Sequence, residues 1–373
     1  MKRRITAITI CMIFLFLLTA CENKDEASNR TDSSNETNIQ STTIEDETDS
    51  EVIEITDSEN NIYENLIYDV QNNHIKITGY INDPIEIIIP SKINGLPVTI
   101  IGDRAFEHCD NLESIIISDG VTEIEGSAFW DCHKLINIEL PDSVTYIGNC
   151  AFAGCGKCEE IILPKGLIEI SPSMFGKCYS LKKIEIPDKV TLIGDSAFHN
   201  CSNLENIKIP DSVLSMENSI FNGCTNLTSI EIPYGITEIG DYTFYECTNL
   251  TDIKIPDSVT CIGESAFDSC ENLKEILIPE SVTEIGYSAF AFCSSLKEVN
   301  LPSNLMEIKN RTFQDCKKLT NLIIPNSIVL IENLAFWGSS IKDIYYMGTE
   351  NQWNCIDNLD KKDLEDVILH FNL

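Results

Sequence analysis

The sequence is poor in basic residues and in histidine. Lys and Arg together number 26 against 59 Asp and Glu, which gives a net charge of −33. Nucleic acid and anionic lipid surfaces select clustered basic residues, so this balance disfavours both as partners. The five histidines are scattered and form no pair with metal-ligand spacing. Because no phosphate loop, nucleophile elbow or pair of catalytic carboxylates stands out, we predict no enzymatic activity, metal or cofactor.

An apolar run lies close to the start of the chain. Residues 1–20 combine a positive start, an apolar run from Ile8 to Leu18 and small residues before Cys21. The run is shorter than a membrane span needs, so residues 1–20 are predicted to be an export signal peptide. Leu18-Thr19-Ala20-Cys21 resembles the lipobox of bacterial lipoproteins. The resemblance implies cleavage before Cys21 and a lipid anchor on its sulfur; the alternative is an ordinary signal peptide with an incidental cysteine.

Two segments precede the main part of the chain. Residues 21–62 are rich in Ser, Thr, Asn, Asp and Glu. Such a composition cannot bury enough apolar surface to offset its ordering entropy, so we predict a disordered acidic tether. Residues 63–89 contain short β-prone runs and are predicted to form an N-terminal β cap. Extra residues in the first unit predict a loop around Asn94-Gly95.

The rest of the chain repeats every 23 residues. A strict period of this size predicts a repeat solenoid, in which each unit stacks only on its neighbours. We expect about eleven coils over residues 90–346 and a C-terminal cap over residues 347–373. The repeat is marked by Phe106, Phe129, Phe152, Phe175, Phe198, Phe221, Phe244, Phe267, Phe290, Phe313 and Phe336.

One unit can be described by positions counted from its phenylalanine. Apolar residues at +9 and +11 with polar residues around them predict a strand, and the proline at +12 ends it. Isoleucine at −5 and a frequent glycine at −4 predict a second short extended piece and a tight corner. The pattern Ala-Phe-x-x-Cys-x-x-Leu places apolar residues three apart, as a 3₁₀ or short helical turn would.

The best-preserved copy, Asn249–Cys270, reads NLTDIKIPDSVTCIGESAFDSC. It resembles the BspA-type leucine-rich repeats of bacterial surface proteins, and residues 344–353 resemble the closing segment of that family. The resemblance implies a leucine-rich-repeat solenoid that binds a protein or glycan ligand on host, matrix or neighbouring cells. With the lipobox, it implies an exported protein anchored by lipid on the extracellular face of the cell membrane. The alternative is a structural envelope spacer without a specific ligand.

Cysteine recurs at position +3 of ten units. Side chains of one such column point toward the core, so buried free thiols are expected instead of disulfides. Cys155 and Cys158 imitate a redox or metal motif, with Cys150 as a candidate third ligand. They occupy the cysteine and leucine positions of the repeat, so we expect both in the core. The column comprises Cys109, Cys132, Cys155, Cys178, Cys201, Cys224, Cys247, Cys270, Cys293 and Cys316.

Two surfaces remain as candidate binding sites. Positions +8 and +10 of the strand should point outward and form a face of two columns. Large aromatic residues near the helical turn could form a second site, because aromatic residues are enriched in interfaces. The candidate face comprises Lys183, Glu185, Asn206, Lys208, Ser229, Glu231, Asp252, Lys254, Glu275 and Leu277. The candidate aromatic edge comprises Trp130, Tyr245, Phe292 and Trp337.

Overall fold

The computed structural model describes residues 61–357, 364 and 366–371. These residues belong to the compact unit Ser58–Leu373. The predicted signal peptide, Cys21 and all but the last two residues of the predicted tether lie outside them. No helix in the described part of the chain is long and apolar enough to cross a membrane.

Each coil except that of Asn206 contains a front strand, and neighbouring front strands lie parallel. The register steps by one repeat, as in Ser229 beside Asp252. Ile230 at +9 is buried while Ser229 and Glu231 on either side are exposed, which confirms the predicted alternation. Strands are numbered in chain order; the front strands are β4 Glu86–Ile89, β7 Ser114–Ile117, β9 Asn137–Glu139, β11 Glu160–Ile162, β13 Lys183–Glu185, β16 Ser229–Glu231, β18 Asp252–Lys254, β20 Glu275–Leu277, β22 Glu298–Asn300, β24 Asn321–Ile324, β26 Asp343–Tyr346 and β27 Ile368–Phe371.

The second extended piece forms a back strand, whose isoleucine at −5 is buried. Back strands are also parallel, with Ile239 of one coil beside Ile262 of the next. They are β6 Leu96–Ile101, β8 Glu123–Ile124, β10 Tyr146–Ile147, β12 Glu169–Ile170, β14 Leu192–Ile193, β15 Ser215–Met216, β17 Glu238–Ile239, β19 Cys261–Ile262, β21 Glu284–Ile285, β23 Glu307–Ile308 and β25 Leu330–Ile331.

The third side of each coil, the turn edge, contains positions −3 to +6. Bonds three residues apart, such as Cys247 N–H to the Phe244 carbonyl at 3.1 Å, are present as a 3₁₀ turn requires. This confirms the predicted turn. Left-handed residues at −2 and +2, Tyr242 and Glu246 in this coil, divide these bonds into separate single turns. The Phe244 N–H donates at 2.8 Å to the carbonyl of Ala266 in the next coil. The turn edge is therefore a third hydrogen-bonded ladder between coils.

The core runs through the whole stack. Neighbouring phenylalanine rings of the repeat lie 5.1–6.3 Å apart between centroids and within 12° of parallel. Isoleucine and leucine columns surround them and are buried. This confirms the predicted repeat core, which no coil could form alone.

The N-terminal cap is a small antiparallel sheet made of β1 Asn61–Tyr63, β2 Leu66–Gln71 and β3 His74–Tyr80. Strand β3 pairs with β6 and continues the back ladder. The Tyr80 ring stacks on Phe106 at 6.0 Å and takes the place of a preceding phenylalanine. Strand β1 starts at residue 61, two residues before the predicted start of the cap. Strand β4 already pairs with β7 of the next coil, so the first coil starts before the predicted residue 90.

The loop expected in the first coil is a hairpin. The short strand β5 Lys92–Ile93 pairs antiparallel with the start of β6. Its two turn residues, Asn94 and Gly95, have φ of 50° and 84°. Both angles are positive, as a two-residue hairpin turn requires, and asparagine and glycine tolerate them best.

The C-terminal cap also continues the stack. Helix α1, Glu350–Trp353, has a capping box between Thr349 and Gln352. Its Trp353 is buried against Tyr346 at 5.2 Å. Strand β27 adds to the front sheet beside β26, and Asp357 forms a bridge to Leu330 of the back ladder. The two caps each supply part of a turn, so the described stack has about thirteen turns instead of the expected eleven.

Candidate binding surface

The ten residues of the candidate face all lie exposed on the front of the stack. Below we call their outward columns, positions +8 and +10 of the front strands, the front face. Strand alternation places them there, because the neighbouring residues at +9 and +11 are held in the core. In the coil of Asn206 the ladder is reduced to one bridge, from Asn206 to Ser229.

A groove of about 590 Å³ lies on the front face at this coil and the next two. It brings together six of the ten predicted residues, while the other four lie beyond it at either end. Buried isoleucines such as Ile207 and Ile230 contribute to its lining. The six predicted residues are Asn206, Lys208, Ser229, Glu231, Asp252 and Lys254.

The groove carries charges of both signs. The Lys254 Nζ lies 3.4 Å from the Glu231 carboxylate of the preceding coil, and both side chains are about 70% exposed. An ion pair this exposed contributes little to stability, so its members remain available for a ligand. Within the described part of the chain, Lys208 has no carboxylate within 4 Å. Lys208 is therefore an exposed cation without an ion-pair partner among the described residues.

Two further groove residues, Tyr234 and Asp211, were missed in the sequence analysis. Tyr234 follows the strand proline at position +13 and its side chain is 78% exposed. The signal was present, because other coils carry a charged or small polar residue at this position. Those residues are Asp142, Lys165, Asp188, Asp211, Asp257, Glu280, Ser303 and Asn326.

The four residues of the candidate aromatic edge do not come together. Trp130 is half-buried and packs on His108 at 5.0 Å, and Tyr245 is half-buried against Tyr242 at 5.9 Å. Phe292 and Trp337 are 43% and 51% exposed and lie two coils apart. In the described residues no ring contact joins any two of the four, so they are separate aromatic residues along the turn edge.

The ten cysteines of the +3 column are buried free thiols. Nine of them donate to the carbonyl of the phenylalanine 26 residues earlier, at 3.1–3.4 Å, as Cys224 does to Phe198. Burial raises the pKa of the Cys224 thiol to about 12. Burial, and after it the neighbouring thiols, holds the pKa of Cys201 and Cys247 well above its usual range. The column is structural and its thiols stay protonated.

The Cys155 and Cys158 pair has the same character. The Cys155 thiol donates to Phe129 and the Cys158 thiol to Glu160, so each is occupied by a different carbonyl. Burial raises the pKa of Cys158 to about 11, the opposite of what a reactive motif requires. Among the described residues no group of three or more His, Cys, Asp or Glu is arranged to hold a metal ion.

The fold and its surface define the class of this protein. Parallel coils of 23 residues, stacked through columns of buried phenylalanine, isoleucine and leucine, form a leucine-rich-repeat solenoid. The sequence model of the BspA type leucine rich repeat region matches residues 99–228 and 215–342 in six copies, more than half of the chain. The chain belongs to this BspA-type leucine-rich-repeat family.

Solved structures of bacterial proteins share the fold. A leucine-rich-repeat protein from Bacteroides ovatus is 28% identical, with a TM-score of 0.50, over 83% of this chain and 99% of its own. A leucine-rich cell surface protein from Faecalibacterium prausnitzii is 24% identical, with a TM-score of 0.53, over 82% and 99%. The pneumococcal vaccine antigen PcpA is 20% identical, with a TM-score of 0.56, over 84% and 97%. No curated protein matches the sequence.

Proposed function

We propose that this chain is a lipid-anchored cell-surface protein that binds a macromolecular ligand through its front face. The ligand is a protein or glycan on host, matrix or neighbouring cells, and binding involves no catalytic step. Leucine-rich-repeat solenoids are typically binding scaffolds, which supports this class of function. The alternative, a spacer without a ligand, would require no surface of special composition.

The observation that carries the proposal is the groove on the front face. In every coil the core positions repeat, so they cannot distinguish one ligand from another. The exposed side chains of the groove, including Lys208, Glu231 and Tyr234, lie at positions that vary from coil to coil. Tyrosine is enriched among the residues that dominate binding energy, and here it is exposed beside charged side chains.

Removing the groove side chains should abolish attachment without unfolding the protein. The test variant of the full chain carries Lys208→Ala, Tyr234→Ala and Lys254→Ala. We expect at least about a tenfold loss of binding to immobilised matrix proteins or neighbouring-cell surface proteins, since one anchoring side chain such as tyrosine can contribute about 2 kcal/mol and about 1.4 kcal/mol is a factor of ten. The melting temperature should stay unchanged, because all three side chains are exposed.

A matched control removes the same residue types elsewhere on the surface. It carries Lys165→Ala, Tyr179→Ala and Lys189→Ala, three exposed positions outside the groove. The control should bind like the unmodified chain. Equal binding by the groove variant would contradict the proposed site, and absence of binding by every form would favour the spacer.

The lipid anchor is tested separately at Cys21. In cells, Cys21→Ala should release the protein into the medium or stall removal of residues 1–20, since the lipobox cysteine is the residue that receives the lipid. Fractionation followed by immunoblotting measures the outcome. Replacing Cys11, which also lies in the leader, should leave fractionation unchanged. Membrane association of the Cys21 variant equal to that of the unmodified chain would rule out this anchor.

A further inference from the structure

The +10 column of the front face has a regular order of apolar and charged side chains. Its central six members lie in consecutive coils and are all exposed. The two outer members are apolar and 76% exposed, and the four between them alternate in charge. At about 4.8 Å per coil, the column is roughly 24 Å long. In chain order it comprises Ile162, Glu185, Lys208, Glu231, Lys254 and Leu277.

Read in reverse, the column sets an opposite charge against each charge and an apolar residue against each apolar residue. We infer that the front face binds a second copy of this chain, antiparallel, about a two-fold axis between the coils of Lys208 and Glu231. The axis runs parallel to the front strands, so each position faces the same position of the other copy. Lys208 then faces Glu231, Glu185 faces Lys254 and Ile162 faces Leu277. Each contact occurs twice, as a two-fold interface requires.

The +8 column and the groove fit the same axis. Lys183 faces Asp252, and Asn206 faces Ser229, which pairs a cation with a carboxylate and an amide with a hydroxyl. At position +13 the exposed Tyr234 faces Asp211, so its phenol O–H can donate to a carboxylate. These four inner positions and the phenol all lie in or beside the groove, which surrounds the axis.

Two facing pairs do not match. Asp188 and Asp257 at position +13 are both acidic, and so are Glu160 and Glu275 at the outer end of the +8 column. Glu160 already has a cation within the chain, the Lys183 Nζ at 3.5 Å. This local neutralisation reduces the cost of the like-charge contact at the rim, where solvent also screens it.

A parallel arrangement of two copies fits poorly. A two-fold axis along the stack would place position +10 against position +8 of the same coil. Ile162 would then face Glu160 and Leu277 would face Glu275, which buries apolar side chains against carboxylates. Glu231 would face only Ser229. Lys183 would still face Glu185, and Lys254 would face Asp252, but Lys208 would face only Asn206. The antiparallel arrangement pairs all four charges of the +10 column and both of its apolar ends, so it is the better match.

The exposed cation beside the axis is compatible with this arrangement. Lys208 lies beside the axis and, among the described residues, has no carboxylate within 4 Å. In the antiparallel arrangement it meets Glu231 of the second copy. The intrachain pair of Glu231 with Lys254 is highly exposed and weak, so Glu231 can exchange or share its partner. This inference rests on the proposed function, since it names a partner for the same face.

Charge reversal tests the inference with the full chain carrying two different epitope tags. Unmodified chains with the two tags should be captured together. Lys208→Glu alone, or Glu231→Lys alone, should reduce capture of its own differently tagged copy at least about tenfold, because like charges then meet twice at the axis. A mixture of the two variants should restore capture, since each supplies the charge that the other needs. One chain with both substitutions should also self-associate.

The control is Lys157→Glu, an exposed charge reversal on the turn edge, away from the front face and the groove, which should leave co-capture unchanged. Absence of co-capture of unmodified chains, or failure of the mixture to restore it, would overturn the inference. If unmodified chains are not captured together but the groove variant loses ligand attachment, the front face binds a different partner and the proposed function still holds. If co-capture follows the charge pattern but the chain does not attach to matrix or cell proteins, the front face binds only a second copy of this chain and the proposed ligand binding is ruled out.

Discussion

Replacing Phe244 by alanine is expected to lower the free energy of unfolding by about 3–5 kcal/mol. Phe244 is fully buried, with Phe221 and Phe267 stacked on either side at 5.7 and 5.3 Å. Alanine leaves a cavity that neighbouring coils cannot fill, because three hydrogen-bonded ladders fix their spacing. The stacked contacts with both neighbours are lost together. Denaturant unfolding followed by circular dichroism measures the change.

The same substitution at Phe292 is the matched control. Phe292 lies at position +2 of a turn edge and is 43% exposed, so its replacement removes less apolar surface from the interior and should lower the free energy of unfolding by only about 1–2 kcal/mol. The two variants lose identical side chains from sites that differ in burial and in backbone conformation, since Phe292 has a φ of 55°. Equal unfolding curves for both variants would contradict the assignment of the phenylalanine column to the core.

The repeating part of this fold was predictable from sequence because the core pattern recurs over eleven units. Ile230 at +9 and Val259 at −8 are buried, as their columns predict. The alternation of exposed and buried residues in the front strands follows from the period of a strand alone. The proline at +12 then fixes where each strand ends. Redundancy between coils made these inferences robust to single departures.

The features that the sequence did not reveal depend on contacts between coils. The turn edge has the spacing of a helix, but left-handed residues such as Ser265 and Ser269 turn alternate N–H groups toward the next coil. Serine has no strong preference for the left-handed conformation, so the sequence pattern did not predict it. The groove likewise forms across three coils: strand alternation predicted six of its exposed residues, but not that they line one groove or that Tyr234 joins them. The caps were underestimated because Tyr80 and Asp357 continue the stack without the repeat motif.

In the folded chain, the cysteines of the +3 column should resist alkylation by iodoacetamide. A thiol reacts as its thiolate, and with the pKa of Cys224 at about 12 only about one such thiol in ten thousand is ionised at pH 8. The column is also closed to solvent, since all ten side chains are buried. We expect labelling at least about 100-fold slower than at the exposed Cys355, measured by mass spectrometry of peptides.

Unfolding provides the matched comparison, because it removes burial and leaves the residues unchanged. In denaturant without a reducing agent, all ten column cysteines should become labelled at rates similar to that of Cys355. Column cysteines that remain unlabelled after unfolding would be disulfide-bonded, contrary to the thiols that donate to phenylalanine carbonyls in the structure. Rapid labelling of the folded chain at Cys224 or Cys247 would instead show that the coils open. Protection when folded and full reactivity when unfolded together would establish that these thiols fill the core, where Cys201, Cys224 and Cys247 hold successive coils in register.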